Sequence, residues 1–129
     1  MKKRKELSST ELAHLIVDGM QEKKANEIVL MDLRKVKNAI ADYFVVCSGN
    51  SDTQVDAISK SIEETVFKKS NEDPWHREGH QNREWILLDY VDVIAHVFTN
   101  EKRNFFDIES LWGDAECLYF NEEMKPALK

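Results

Sequence analysis

WILLDYVDVIAHVF, residues 85–98, is the densest apolar stretch of the chain, yet it contains two aspartates and a histidine. A single buried strand would exclude those groups, because desolvating a charge without a partner is costly. Two strands joined by an acidic turn accommodate them. With a side-chain period of two, the stretch divides into a strand over 85–90, a turn at Val91-Asp92 and a strand over 93–98. In the first strand Trp85, Leu87 and Asp89 share one face and Ile86, Leu88 and Tyr90 the other; in the second, Ile94, His96 and Phe98 share a face. So short a turn makes the pair antiparallel. The pattern leaves two readings open: Asp89 and Asp92 as turn residues with Trp85 and Tyr90 in the core, or an exposed Trp/Tyr patch beside carboxylates, as protein interfaces use.

Working outward, Ser8-Ser9-Thr10-Glu11 has capping-box spacing from Ser8 to Glu11, and Leu12, Leu15, Ile16, Gly19 and Met20 recur at helical intervals, predicting a helix over about 9–23. The apolar runs at 28–33 and 43–47 read as strands, the second apolar enough to be central. Ser48-Gly49-Asn50-Ser51-Asp52 ends that strand. Ser51 or Asp52 then caps a second helix striped by Val55, Ile58, Ile62 and Val66. Residues 70–84, with Pro74, Gly79 and dense polarity, have loop composition. After the hairpin, Asn100 precedes Phe105, Ile108, Leu111 and Trp112 at helical spacing, with Gly113 as a stop, and Glu116–Phe120 reads as a short last strand. The expected fold is a mixed α/β sheet of about five strands covered by helices. It forms one domain over 9–120, between a basic tail at 1–8 and a charged tail at 121–129.

At 129 residues the chain is long enough for one self-sufficient core. No apolar run approaches a membrane span, and Met1-Lys2-Lys3-Arg4-Lys5 leads into a mixed helical pattern instead of a signal sequence, so a soluble, cytoplasmic protein is expected. The net charge is −6; four positive charges sit in Lys2–Lys5, which leaves −10 on residues 6–129. Such a body repels nucleic-acid backbone and suits a basic protein partner. Cys47 and Cys117 lie in apolar runs, as reduced thiols do.

The Ser48–Asp52 turn, between a strand and a helix, resembles the opening of nucleotidyltransferases and offers N–H groups to phosphate. Two-metal transfer also requires converging carboxylates. No Asp-x-Asp pair follows, and Asp52 and Asp56 sit where caps and helix dipoles use acids. His76 and His80 have ligand spacing only on a helix, which Pro74 and Gly79 oppose. His14 and His96 have no nucleophile at hand, and Cys47, inside a strand, lacks the setting of a reactive thiol.

Three stretches together resemble the ribosomal silencing factor family, RsfS or Iojap-like: Ala41–Gly49 (ADYFVVCSG), Trp85–Phe98, and Ile108–Ala115 (IESLWGDA). With the matching element order, the likeness runs from about Leu7 to Phe120. It implies a nucleotidyltransferase-like fold without catalytic carboxylates, no enzymatic activity and no cofactor. It further implies binding to large-subunit ribosomal protein fourteen, so that the small subunit cannot join and translation is repressed when nutrients run short. Trp85, Asp89, Tyr90, Asp92 and His96 would then be retained as the recognition surface. An apolar surface of that kind can also pair with itself, giving a homodimer when the partner is absent. The family usually has glycine where this chain has Val91, a turn position where positive φ strains a β-branched residue. The competing reading is a nucleotide-binding or nucleotidyltransferase-like enzyme using the Ser48–Asp52 turn.

Overall fold

The computed structural model describes residues 7–107, 110 and 113–120, with backbone alone at 105 and 106. Helix α1 (Ser9–Glu22) starts where the sequence places it. The Ser8 hydroxyl accepts from the Glu11 N–H at 3.1 Å and the Glu11 carboxylate accepts from the Ser8 N–H at 3.0 Å, closing the capping box. Strands β1 (Asn26–Asp32) and β2 (Tyr43–Gly49) follow, the latter buried at every position. Helix α2 (Asp52–Ser70) is capped by Ser51, whose side chain accepts from the Gln54 N–H. Asp52 is therefore the first helical residue and not the cap, and its carboxylate lies in the first turn, where it complements the helix dipole. Asn71, at φ 63°, closes α2 in the left-handed conformation that asparagine tolerates.

The segment 70–84 holds more order than its composition suggests. It contains a three-residue strand, β3 (His76–Glu78), so the sheet has six strands where five were expected. Backbone bonding to the hairpin overrides polar composition here, since His76, Arg77 and Glu78 pair with Asp89, Leu88 and Leu87. β4 (Trp85–Asp89) and β5 (Val93–Thr99) form the anticipated antiparallel hairpin. Helix α3 (Asn100–Phe106) is capped by Thr99 and stops earlier than its apolar spacing implies, because Asp107 turns left-handed at φ 46°. Ile108, Leu111 and Trp112 lie outside the described residues, as do the tails 1–6 and 121–129. β6 (Glu116–Phe120) completes the sheet.

The sheet order is β3-β4-β5-β2-β1-β6, with β2 and β5 parallel and every other pair antiparallel. α1 and α2 pack on one face, over a core in which Ile16, Met20, Val45, Ile58, Ile62, Ile86, Leu88 and Val97 are sealed from solvent. The other face carries a smaller core of Val29, Met31, Leu33, Phe44, Val46, Ile94 and Phe98, with Trp85 and Leu87 partly buried beside it. Cys47 belongs to the first core and Cys117 flanks the second, so the sheet separates the two thiols. Burial pushes the Cys47 thiol up to about 12, which keeps it protonated and inert.

Candidate protein-recognition surface

The hairpin sorts its residues by alternation. Pairing sets Trp85 opposite Phe98, Leu87 opposite His96 and Asp89 opposite Ile94, all on the face away from α1 and α2. Trp85 stacks on Phe98 with ring centres 5.0 Å apart and planes 22° from parallel, while His96 meets Phe44 edge-on at 4.7 Å. The Trp85 indole N–H donates to His96 Nδ1 at 3.1 Å. That bond fixes the neutral tautomer, because Nδ1 must accept and the ring proton then sits on Nε2. His96 Nε2 is buried without a hydrogen-bond partner among the described residues. Trp85 thus lies half-buried, its ring orientation set by a stack and a hydrogen bond, and a side chain held in this way loses little entropy when a partner covers it.

Burial drives the His96 pKa down to about 4 from an ordinary value near 6.5. The unfolded chain therefore binds a proton that the folded chain refuses, and stability present above about pH 6.5 is lost progressively as pH falls through 4, by up to about 3 kcal/mol. We expect His96→Gln, which retains an acceptor for the indole, to flatten the pH dependence of urea stability between pH 6.5 and 4. Parallel profiles for the two proteins would show that His96 does not titrate on unfolding.

The turn is acidic for local reasons. Asp89 Oδ1 accepts from the Val91 N–H at 2.7 Å, and the Asp92 carbonyl accepts from the N–H groups of Asp42 (2.8 Å) and Tyr43 (3.2 Å). The Asp92 side chain itself is exposed. Val91 has φ 77° and is 58% exposed, and the loop tied to it presents Ile40 at 70% exposure. Two large apolar side chains thus stand in solvent, Val91 within the acidic turn and Ile40 two residues before Asp42, whose N–H bonds the Asp92 carbonyl.

Tyr90 requires a correction. Its ring sits in the helix-side core, 7% exposed, on the opposite face from Trp85. Alternation puts it there with Ile86 and Leu88, so Trp85 and Tyr90 cannot form one patch. His96 is likewise too buried, at 4%, to touch a partner directly; it positions Trp85. The surface that remains is Trp85, Leu87, Asp89 and Asp92, with Ile40 and Val91, which sequence reasoning missed as contact candidates. Ala39-Ile40-Ala41, an apolar triplet in an otherwise polar loop, was the available signal.

The alternative site at Ser48–Asp52 is already occupied by the protein's own groups. The Asn50 N–H donates to Gln54 Oε1 at 2.7 Å and the Gln54 N–H to Ser51 Oγ at 3.1 Å. A side chain at Gly49 would meet Gln54, so the glycine makes room for that residue and not for a phosphate. His76 bonds Glu78 at 2.7 Å and His80 bonds Ser59 at 3.3 Å, so the two histidines serve separate partners.

The family described as "Ribosomal silencing factor during starvation", RsfS, matches residues 6–128. The chain belongs to the ribosomal silencing factor family. A ribosomal silencing factor from Halalkalibacterium halodurans is 36% identical over 109 residues, covering 84% of this chain and 92% of that protein. A crystal structure of a Chromobacterium violaceum protein superposes with a TM-score of 0.77 at 28% identity, covering 95% of each chain. A more distant mouse relative, 25% identical over 76% of this chain and 43% of its own length, is named "Mitochondrial assembly of ribosomal large subunit protein 1".

Within the RsfS frame, Val91 stands in a left-handed conformation that costs an L-residue roughly 1–2 kcal/mol. Glycine there loses part of that gain to unfolded-state entropy. We expect Val91→Gly to raise stability by about 1 kcal/mol, read as a higher urea midpoint at unchanged slope. An unchanged or lower midpoint would mean that Val91 makes compensating contacts.

Proposed function

We propose that this chain is a non-enzymatic silencing factor of the cytoplasm. It binds the large ribosomal subunit through large-subunit ribosomal protein fourteen, keeps the small subunit from joining, and so represses translation when nutrients run short. Family membership supports the silencing role, and the mouse relative's name supports the large subunit as target. The observation that carries the recognition step is the Trp85 indole, half-buried, fixed by Phe98 and His96 and flanked by Leu87, with Asp89 and Asp92 at the strip's end. Aromatic anchors with a charged rim are the usual means of protein recognition, and carboxylates suit a basic ribosomal protein.

The test is co-sedimentation with purified large subunits, small subunits and intact ribosomes, together with a subunit-joining assay. The reading expects retention on large subunits alone and a block of joining. Equal retention on small subunits, or joining that proceeds in the presence of bound protein, would refute it.

A further inference from the structure

Helix α2 is tied by a side-chain pair to the outer strand of the sheet it covers. At the sheet's outer strand Arg77 of β3 reaches up to Glu63 of α2 in a two-pronged pair, Nε at 3.0 Å from Oε2 and Nη2 at 2.7 Å from Oε1. Beyond that pair, Glu64, Phe67 and Lys68 continue along α2 and, with Glu63 and Asp73, line an open groove of about 430 Å³. Phe67 is 46% exposed, and Trp75, two residues past Asp73, is 76% exposed, the most exposed of the chain's large apolar side chains among the described residues. A tryptophan this exposed gains little burial from the fold.

β3 bonds β4 on one side, and its other edge has no strand partner among the described residues. That edge presents main-chain donors and acceptors to any extended chain that approaches. Beneath the seam, the Tyr90 hydroxyl lies in the field of Glu63, Arg77, Asp73 and Glu72, buried and without a hydrogen-bond partner among the described residues. A strand edge without a strand partner among the described residues, the exposed flank of α2 and an exposed aromatic directly before β3 therefore lie close together.

We propose that the β3 edge and the α2 groove form a second docking surface, which takes an extended, lysine- or arginine-rich segment of another protein as a seventh strand. Charge selects the occupant. Glu63, Glu64, Glu72 and Asp73 stand against Lys68 and Arg77, and Arg77 is already held by Glu63. In an added strand, alternate side chains point to the helix side and enter the groove. A lysine stem covers Phe67 while its ammonium reaches Glu64 or Asp73. Nucleic acid is disfavoured, since its phosphates would face these carboxylates. The groove opens on the helix side of the sheet and Trp85 on the other, so both surfaces can be engaged at once.

The test is tryptophan-fluorescence titration of the full chain with short synthetic peptides. A peptide alternating lysine and valine should bind saturably. Alternating glutamate and valine, or the lysine–valine peptide with a central proline that removes a ladder donor, should bind at least about tenfold more weakly. Trp75→Phe should remove most of the signal. Glu64→Lys combined with Asp73→Lys, both at exposed positions, should weaken binding about tenfold while melting with wild type. Trp85→Ala should bind the peptide normally. The proposal fails if the lysine–valine peptide does not saturate, if the double variant or the proline peptide binds equally well, or if polyuridylate displaces the peptide.

Discussion

Gly19→Ala should lower the stability of the protein by about 2–4 kcal/mol. A Cβ at Gly19 would lie 2.7 Å from Ile62 Cα, 3.1 Å from Ile62 N and 3.2 Å from the Ser61 carbonyl oxygen. All three are main-chain atoms of α2, so no side-chain rotation relieves the clash. The helices must separate by about 1 Å to restore ordinary carbon contacts. Separation weakens the packing of Ile16 and Met20 on α1 against Ile58 and Ile62 on α2, all sealed from solvent, and stretches the 2.8 Å bond from the Ser61 hydroxyl to the Gly19 carbonyl. Alanine's better helix propensity returns at most about 1 kcal/mol, which the clash outweighs. For a domain of this size the loss corresponds to a fall of roughly 10 °C in Tm. Gly113→Ala is the control: among the described residues its Cβ would meet only the Ser110 carbonyl, at 3.7 Å, an ordinary contact, and the change should leave melting nearly unchanged. A Gly19→Ala protein that melts with wild type would mean that the helices do not cross this closely.

Periodicity made much of this fold legible. The Ser8 capping box, the α2 stripe and the division of residues 85–98 into a hairpin are local patterns, and local patterns are what a sequence displays directly. What escaped depends on contacts between distant segments. β3 has no strand-like composition and exists because β4 offers it hydrogen bonds. The bulge at the start of β1, with Glu27 at φ 48°, is held by the buried Arg103 guanidinium, which donates to the carbonyls of Asn26 and Glu27 from 76 or more residues away. α3 stops at a left-handed Asp107 although its apolar spacing runs on. The candidate recognition surface was half legible for the same reason. Alternation put Trp85 and Tyr90 on opposite faces, but only the helices α1 and α2 reveal that Tyr90's face is the covered one.

Trp85→Ala should cost at least about 2 kcal/mol of affinity for the large subunit, roughly thirtyfold, because truncation removes the half-buried anchor together with its stack on Phe98 and its hydrogen bond to His96. Some stability will be lost as well, so binding must be measured per folded molecule. Trp85→Phe separates the effects: it keeps a ring over Phe98, gives up the bond to His96 Nδ1, and should bind between wild type and alanine. Asp92→Lys changes an exposed side chain whose main-chain bonds to Asp42 and Tyr43 are untouched. It should melt with wild type and still lose affinity, since a basic partner now meets a like charge. Tyr90→Ala is the counter-case. Its ring belongs to the helix-side core, so the change should cost about 3–5 kcal/mol of folding free energy while the folded fraction sediments with large subunits as before. Full retention by both Trp85→Ala and Asp92→Lys would move recognition off this face of the sheet. Loss of binding by a Tyr90→Ala protein that melts normally would reverse the assignment of faces, because only an exposed ring can be removed without disturbing the core.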